Sequence, residues 1–475
     1  MSRFTDQKKI IEKRFSGMSD FDTRSIRSGG CEYFICFITT FSSRDMINRF
    51  IIAPLLSFGG ERELEDIVCN TSVKMLCDMS EASDMILAGN AVVFSDKDDC
   101  ILAVMTKSED GRSISEPETE NVIRGAHEGF TENAGINAML LRRRIRSTHL
   151  KKEDFFAGEL TQTGISIMYL DNLVKEDVLS EVRKRISEIK INGIIDSGYV
   201  EAYIQNGKFE VYPTVGNTER PDKAAAKILE GRIAVIVDGS PVVLTVPYLF
   251  AEGFQITEDY SKSVFFASFE RTLRFVGTVL SLFLPALFLA AVSAPDLVLS
   301  EITSYIHSSR EGMNISVLIE MTGVFLLFEF VREVSLRMPK AVGSAVGIVG
   351  SLILGDSAVE AGIISSPVLI VVAFSAVCNF LAPPYMNANV IFRAFLLLAS
   401  GLFGIIGLVC SVSLGLIAFC AKESFLTPYL SPIAPLNKGG WRDFIVMLPV
   451  WMQKRAPTSI TGKKIKRAEG RKRDE

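Results

Sequence analysis

The sequence predicts an α/β cytosolic domain of two subdomains followed by an α-helical, polytopic membrane domain. Three observations predict it. Charged residues run throughout positions 1–260, whereas positions 275–453 hold a series of long apolar runs. Two hairpin signals recur in the first half at an offset of 142 residues, from Ile86-Leu87-x-Gly89 to Ile228-Leu229-x-Gly231. Several of the later apolar runs are long enough to cross a bilayer.

Composition narrows the class. Of 475 residues, 48% are hydrophobic and 22% charged, and mean hydropathy is +0.28. That is too apolar for a disordered chain, and the long runs exclude a fully soluble enzyme. A net charge of −4 argues against a nucleic-acid binder. The eight cysteines form no CxxC, and His127, His149 and His307 share no ligand spacing, so reduced, mostly buried thiols and no metal or cofactor are expected. The N-terminus has no apolar stretch of signal-peptide type, which places the first half in the cytoplasm.

The elements follow in order. Residues 1–50 read as mixed, with helical flavour. Met85–Phe94 and Cys100–Met105 flank an Asp-rich turn and predict a hairpin. Residues 169–190 carry apolar positions at helical spacing and predict a surface helix. Ile228–Val237 and Pro241–Val246 flank Asp238-Gly239 and predict a second hairpin. The apolar runs are Phe275–Ala294, Ile315–Val331, Ala341–Leu354, Gly362–Leu381 and Ile391–Ala421. Trp441–Trp451 reads as an interfacial segment. From Lys454 the tail has nine Lys/Arg against three acids, a net +6. Arg271 and Arg274 before the first run and this tail after the last both belong inside, so the number of full spans is even. Five runs do not satisfy that. Either the short run 341–354 is re-entrant, or the run 391–421 is broken at its glycines into a bent pair. The expectation is four full spans plus discontinuous pieces. The domains are drawn at 1–150, 151–262, 263–437 and 438–475, the last an interfacial helix and basic tail.

Candidate functional residues fall into three groups. Glu320 and Glu329 lie inside an apolar run, where a charge faces a polar pathway or an intersubunit contact. Glu333 and Arg337, with Arg332, lie on the same helix towards the interface, and Glu333 and Arg337 are spaced to pair. Gly343, Val346, Gly347 and Gly350 form a small-residue stretch that permits close helix packing and, in a ring of copies, a narrow pore. Arg124, Glu128 and Glu132 lie at i, i+4 and i+8, as an intersubunit or domain–membrane contact or as an internal salt-bridged turn. No nucleotide-binding, nucleophile-elbow or zinc-protease motif is present, so there is no positive case for an enzyme.

Several blocks resemble one family: Glu116–Glu132 with Leu140–Ile145; Thr218–Asp222 with Leu229–Pro241 and Glu258-Asp259-Tyr260; Arg310-Glu-Gly312 with Phe328–Glu333 and Arg337-Met-Pro339; Gly343–Gly355 with Ala358–Gly362; and Pro428–Pro435. Their order and length resemble the A subunits of bacterial spore germinant receptors, the GerA family, which also includes the stage V sporulation AF paralogue. Ala126-His127 and Val334-Ser335 depart from the family's usual Pro-Arg and Ala-Gly. The resemblance implies a homo-oligomeric subunit of the spore inner membrane. It implies a transporter-like B subunit and a lipoprotein C subunit as partners, membrane lipid around it, no nucleic acid, and an ion channel formed or gated by the A subunits.

Overall fold

The computed structural model describes residues 3–462, apart from 59, 61, 71, 98–100, 108–115, 118, 119, 121, 123, 208, 295–299, 312, 314, 339–354, 437–440, 442, 450, 451 and 453–456. The first half is mixed α/β, and among the described residues the second carries two helices long and apolar enough to cross a membrane, Val264–Ser293 and Pro383–Ala421.

The first half is a duplication. α1 (Arg3–Arg14), β1 (Phe21–Ser28), β2 (Cys31–Ile38), α2 (Arg44–Ile47), a π-helical turn, α3 (Ala53–Phe58), α4 (Leu64–Ile67), β3 (Val73–Leu76), α5 (Met79–Leu87), β4 (Ala91–Ser95) and β5 (Ile101–Val104) form the first unit. α6 (Ala134–Arg144), β6 (Leu150–Ala157), β7 (Thr163–Leu170), α7 (Glu176–Ser187), α8 (Ser197–Ile204), β8 (Gly216–Thr218), α9 (Pro221–Leu229), β9 (Ile233–Val237) and β10 (Val243–Val246) form the second. The sheets have matching orders, β1-β2-β4-β5-β3 and β6-β7-β9-β10-β8, with every pairing antiparallel. Gly89 and Gly231 follow α5 and α9 at the same left-handed φ of 92°. A Cβ at Gly231 would lie 2.9 Å from the Leu173 carbonyl oxygen, so only glycine makes that turn.

The two hairpins are β4–β5 and β9–β10. Met85–Leu87 and Ile228–Leu229, read as strand, are instead the last turns of α5 and α9. A short apolar run does not separate a buried strand from a buried helix end. The helix expected over 169–190 begins only at Glu176, because Tyr169 and Leu170 end β7. In the region read as mixed, β1 and β2 form a hairpin across Gly29-Gly30, both at positive φ, which is the turn chemistry such a pair favours.

Strands β4, β5, β9 and β10 are buried along their whole length, because helices or the partner unit cover both faces. One core joins the units: Phe34, Val92 and Phe94 of the first sheet share it with Met168, Ala234 and Ile236 of the second, with α5, α6 and α9 between. Asp20 and Arg142 close it, Arg142 Nε and Nη2 donating to Asp20 at 2.6 Å each.

The helical half comprises α10 (Val264–Ser293), α11 (Ser300–Ser308), α12 (Val317–Arg337), α13 (Ser366–Asn379) and α14 (Met386–Ala421), followed by the short pair β11 (Glu423–Ser424) and β12 (Thr427–Pro428), and later by α15 (Thr458–Thr461). α14 is not one rod. Gly404 has φ 59° and ψ −141°, outside helical space, in a region that side chains scarcely tolerate. Beyond it the chain folds back: Phe392 and Phe419 have ring centroids 6.4 Å apart, and a Cβ on Gly415 would meet Phe392 at 2.6 Å. Each limb is about 18 residues, or ~27 Å. Of the two alternatives left open by the five apolar runs, this is the one in which run 391–421 is a bent pair. The tip reaches the far end of α10, where a Cβ on Gly404 would lie 3.6 Å from Ser293. Both limbs start and end at the α/β half. Tyr385 hydroxyl donates to the Phe250 carbonyl at 2.5 Å, and Lys422 Nζ donates to the Tyr212 carbonyl at 2.9 Å.

The expected four full spans correspond less simply to the helices. α12 has 21 residues but carries Glu320, Glu329, Arg332, Glu333 and Arg337, and α13 is short, at 14 residues. The run 341–354 lies outside the described residues. The described part of 441–449 is a turn closed by an Asp443–Met447 bridge, not the interfacial helix expected of the 438–475 segment. It packs Phe444 against Phe254 and Phe275.

Candidate functional site

Polar side chains inside the helical half form two groups, each including an acid of α12. Glu320 lies in the first turn of α12, whose N-cap is Ser316, where the helix dipole favours an anion. Its side chain is fully buried and paired with Arg310. It also accepts from the Ser365 backbone N–H and hydroxyl at 2.6 Å each. Three donors on one carboxylate offset the cost of burying its charge. This group lies at the end of the bundle away from the soluble half, beside Leu318 and Gly401 near the hairpin tip.

About two and a half turns along α12, Glu329 lies between two arginines. Arg332 Nη2 is 2.8 Å away and Arg393 Nη2 3.4 Å. Arg393, on the first limb of α14, is 3% exposed. Its guanidinium lies 4.0 Å from the Phe325 ring centroid, which a desolvated cation favours. Its Nη1 donates to Ser375 Oγ at 3.3 Å. From Ser375 the chain of hydrogen bonds continues. Ser375 Oγ donates to the Ser281 carbonyl at 2.8 Å, and Ser281 Oγ to Asn379 Oδ1 at 3.4 Å. Asn389 Nδ2 donates to Asn379 Oδ1 at 2.9 Å, and Tyr212 hydroxyl to Asn389 Oδ1 at 2.9 Å. Ser281, Ser375, Asn379 and Asn389 are all buried, so each must find its partner inside. A continuous polar path thus joins α12, α14, α13 and α10 to the soluble half.

The junction itself is held by ion pairs and aromatic rings. Asp259, before α10, is fully buried and accepts from Arg271 Nε at 2.8 Å and from Arg274 Nη1 and Nη2 at 2.9 and 2.8 Å. Burial pushes its carboxyl up, but the two arginines more than offset this and hold it below the ordinary value of 3.8. Arg271 Nη1 also donates to Asp443 Oδ1 at 2.7 Å, where burial dominates and raises the carboxyl. Tyr212, Phe250, Phe254, Tyr385, Phe419 and Tyr429 pack as one aromatic collar. A Cβ on Gly253 would fall 2.1 Å from the Tyr385 ring.

Residues 9–459 match the family model described as Bacillus/Clostridium GerA spore germination protein. The chain belongs to the GerA family. It is 34% identical to spore germination protein KA of Bacillus subtilis (strain 168), over 96% of this chain and 86% of that protein. It is 31% identical to spore germination protein GerQA of Bacillus cereus, over 92% and 89%. It is 34% identical to stage V sporulation protein AF of Bacillus subtilis (strain 168), over 81% and 79%. A crystal structure of the N-terminal domain of the A subunit of the Bacillus megaterium spore germinant receptor GerK3 is 27% identical, covering 52% of this chain and 95% of that one, with a TM-score of 0.40.

In this GerA-family chain, Glu320 and Glu329 lie in the polar groups just described. Glu333 and Arg337 pair at 2.6 Å on an exposed face. Gly343, Val346, Gly347 and Gly350 lie outside the described residues. Arg124, Glu128 and Glu132 do not share a helix face, because residues 124–132 are irregular. Glu128 pairs with Arg143 and with Arg144, the latter at 2.7 Å, and the Glu132 carbonyl accepts from Gly239 N–H at 2.7 Å. Sequence reasoning missed Ser281, Ser375, Asn379, Asn389 and Tyr212. The two asparagines carried a signal, since amides bordering apolar runs need partners. Tyr212 carried none, because its partner lies 177 positions away.

Proposed function

We propose that the chain is the A-type subunit of a nutrient receptor in the spore inner membrane, and that several copies assemble to form or gate an ion pathway. The soluble half and the tail then face the cytoplasm. The partners are a transporter-like B subunit and a lipoprotein C subunit. The protein is not an enzyme and uses no cofactor.

One observation carries this reading: acid–arginine pairs buried among apolar helices, tied by hydrogen bonds to a soluble domain. Ionisable groups at such depth mark ion or proton pathways and their gates. In a ring of copies the Glu329 carboxylates repeat around the axis, and an opening that frees them from Arg332 and Arg393 exposes a ring of negative charge, which favours cations. The Gly343–Gly350 stretch is the pore candidate from sequence.

The test is ion flux through purified protein in liposomes, alone and with the B and C partners. Wild type is compared with Glu329→Gln and Gly347→Trp at unchanged oligomer size. Flux in wild type that is lost in Gly347→Trp supports the pore. Undiminished flux in both variants overturns it, and no flux in any state makes the chain a non-conducting scaffold. A second reading, an accessory channel protein of the stage V AF type, is favoured by an identity to that relative equal to that with the KA protein. A deletion that leaves nutrient response intact but impairs spore formation would select it.

A further inference from the structure

A groove of about 570 Å³ opens where the hairpin of α14 meets the soluble half. That is within the range of roughly 300–1,000 Å³ typical of small-ligand sites. Its walls are Ile391 and Phe395 from the first limb, Gly415 and Ala418 from the second, and Phe209 from the loop after α8. Glu210 and Lys422 lie at its rim and are paired with each other, so the charge there is already balanced. Tyr212 forms part of the groove and also starts the hydrogen-bond path to Glu329.

We propose that this groove holds one acyl chain of a glycerophospholipid from the leaflet next to the soluble half. The inference rests on the reading that the helical half spans a bilayer. Four features favour this occupant. The lining is mostly apolar, and its Glu210 and Lys422 neutralise each other at the mouth. Gly415 lies six residues inside the end of its limb at Ala421, a depth of ~9 Å, where the first methylenes of a lipid chain lie. The groove continues into the exposed apolar flank of the limbs, where Leu398, Leu402 and Ile417 are 52%, 69% and 66% exposed. Phe209, which lines the groove, is 97% exposed, a placement of an aromatic ring that suits the headgroup level. Gly415 shapes the site, since it leaves room for the Phe392 ring beneath it. An acyl chain in the groove abuts Tyr212, so lipid identity bears on the same path that reaches Glu329.

The experiment reconstitutes the full-length protein in nanodiscs with a phosphatidylglycerol carrying a photoreactive group near the top of one acyl chain. Labelled peptides are mapped by mass spectrometry. Labelling is expected to concentrate on Ile391, Phe395 and Ala418, above Leu402 and Ile406, which are comparably or more exposed but lie outside this groove. Ala418→Trp fills the groove and should cut labelling there about tenfold or more, since each methylene withdrawn is worth roughly fourfold in affinity. Labelling at Leu402 and Ile406 should stay unchanged, which also reports that the variant is folded. Should Ala418→Trp not fold, the wild-type map decides alone. Uniform labelling along all exposed positions means ordinary surrounding lipid and overturns the proposal. Chain-to-chain crosslinks at these positions instead of lipid adducts make the groove a contact between copies and overturn it as well. An absence of label anywhere on α10 and α14 would sink the bilayer reading itself, a different failure from the loss of groove selectivity.

Discussion

Tyr212 of the soluble half donates its hydroxyl proton to Asn389 Oδ1, 2.9 Å away in the first limb of the hairpin. Both groups are buried. Tyr212→Phe keeps the ring packing against Phe419 and Tyr385 but leaves Asn389 short of a donor. The expected cost is about 1–3 kcal/mol, read as a lower melting temperature in detergent. A double-mutant cycle with Asn389→Ala should show coupling of at least ~0.5 kcal/mol. Additivity would mean that the two halves are not joined through this bond.

Glu329 and Glu333 test how far depth matters. Glu329→Gln removes the anion facing Arg393, which is 3% exposed, and should cost about 3–5 kcal/mol. Glu333→Gln breaks a pair whose side chains are 54% and 79% exposed, and should cost no more than about 1 kcal/mol. Equal effects on thermal stability would contradict the burial assigned to Arg393.

The turn at Gly404 has a backbone that side chains avoid. Gly404→Ala is expected to cost about 1–3 kcal/mol. Gly323→Ala is the control: a Cβ there meets nothing within 4 Å, and in a helix it should stabilise by up to about 1 kcal/mol. If both glycines accept alanine equally well, α14 does not fold back at Gly404.

Asp259 gives the protein an acid-sensitive junction. Its carboxyl is held below 3.8 in the folded chain, so the unfolded chain binds its proton more readily. The stability it contributes is complete above the ordinary carboxylate range and is lost as pH falls through 3.8 towards the depressed value. Thermal scans of wild type should decline between about pH 5 and pH 3. Asp259→Asn should start lower, because Arg271 and Arg274 lose their anion, and should decline less. A parallel decline in both proteins would mean that other carboxylates carry the effect.

Much of this was legible before any coordinates. Apolar runs around an Asp-rich turn marked the first hairpin and Asp238-Gly239 the second, and the shared Ile-Leu-x-Gly spacing marked the duplication. The glycines of 391–421 marked a break, although Gly404 was not distinguishable from Gly401, Gly407 and Gly415 without its dihedrals. Glu320 and Glu329 stood out because carboxylates in apolar runs demand partners. Which partners they have was not legible. Arg310 and Ser365 meet Glu320 from opposite sides in sequence, and Arg393 lies 64 positions from Glu329. The i, i+4, i+8 spacing of Arg124, Glu128 and Glu132 does not define a helix face, because residues 124–132 are irregular, and Glu128 pairs within the chain with Arg143 and Arg144, as the alternative of an internal salt-bridged turn has it. The hairpin over Gly29-Gly30 was readable from its turn alone but was obscured by the helical α1 before it.

The apolar layer between the two sheets has a genetic consequence. Phe94 and Ile236 belong to different repeats yet share one dry interior, and Asp20 reaches Arg142 across the same divide. Neither repeat therefore has a surface fit for water by itself. A gene split between them should yield two insoluble fragments that become soluble only when made in the same cell. A duplication of this kind is inherited as a pair, and drift on one side of the seam is tolerated only when the other side answers it.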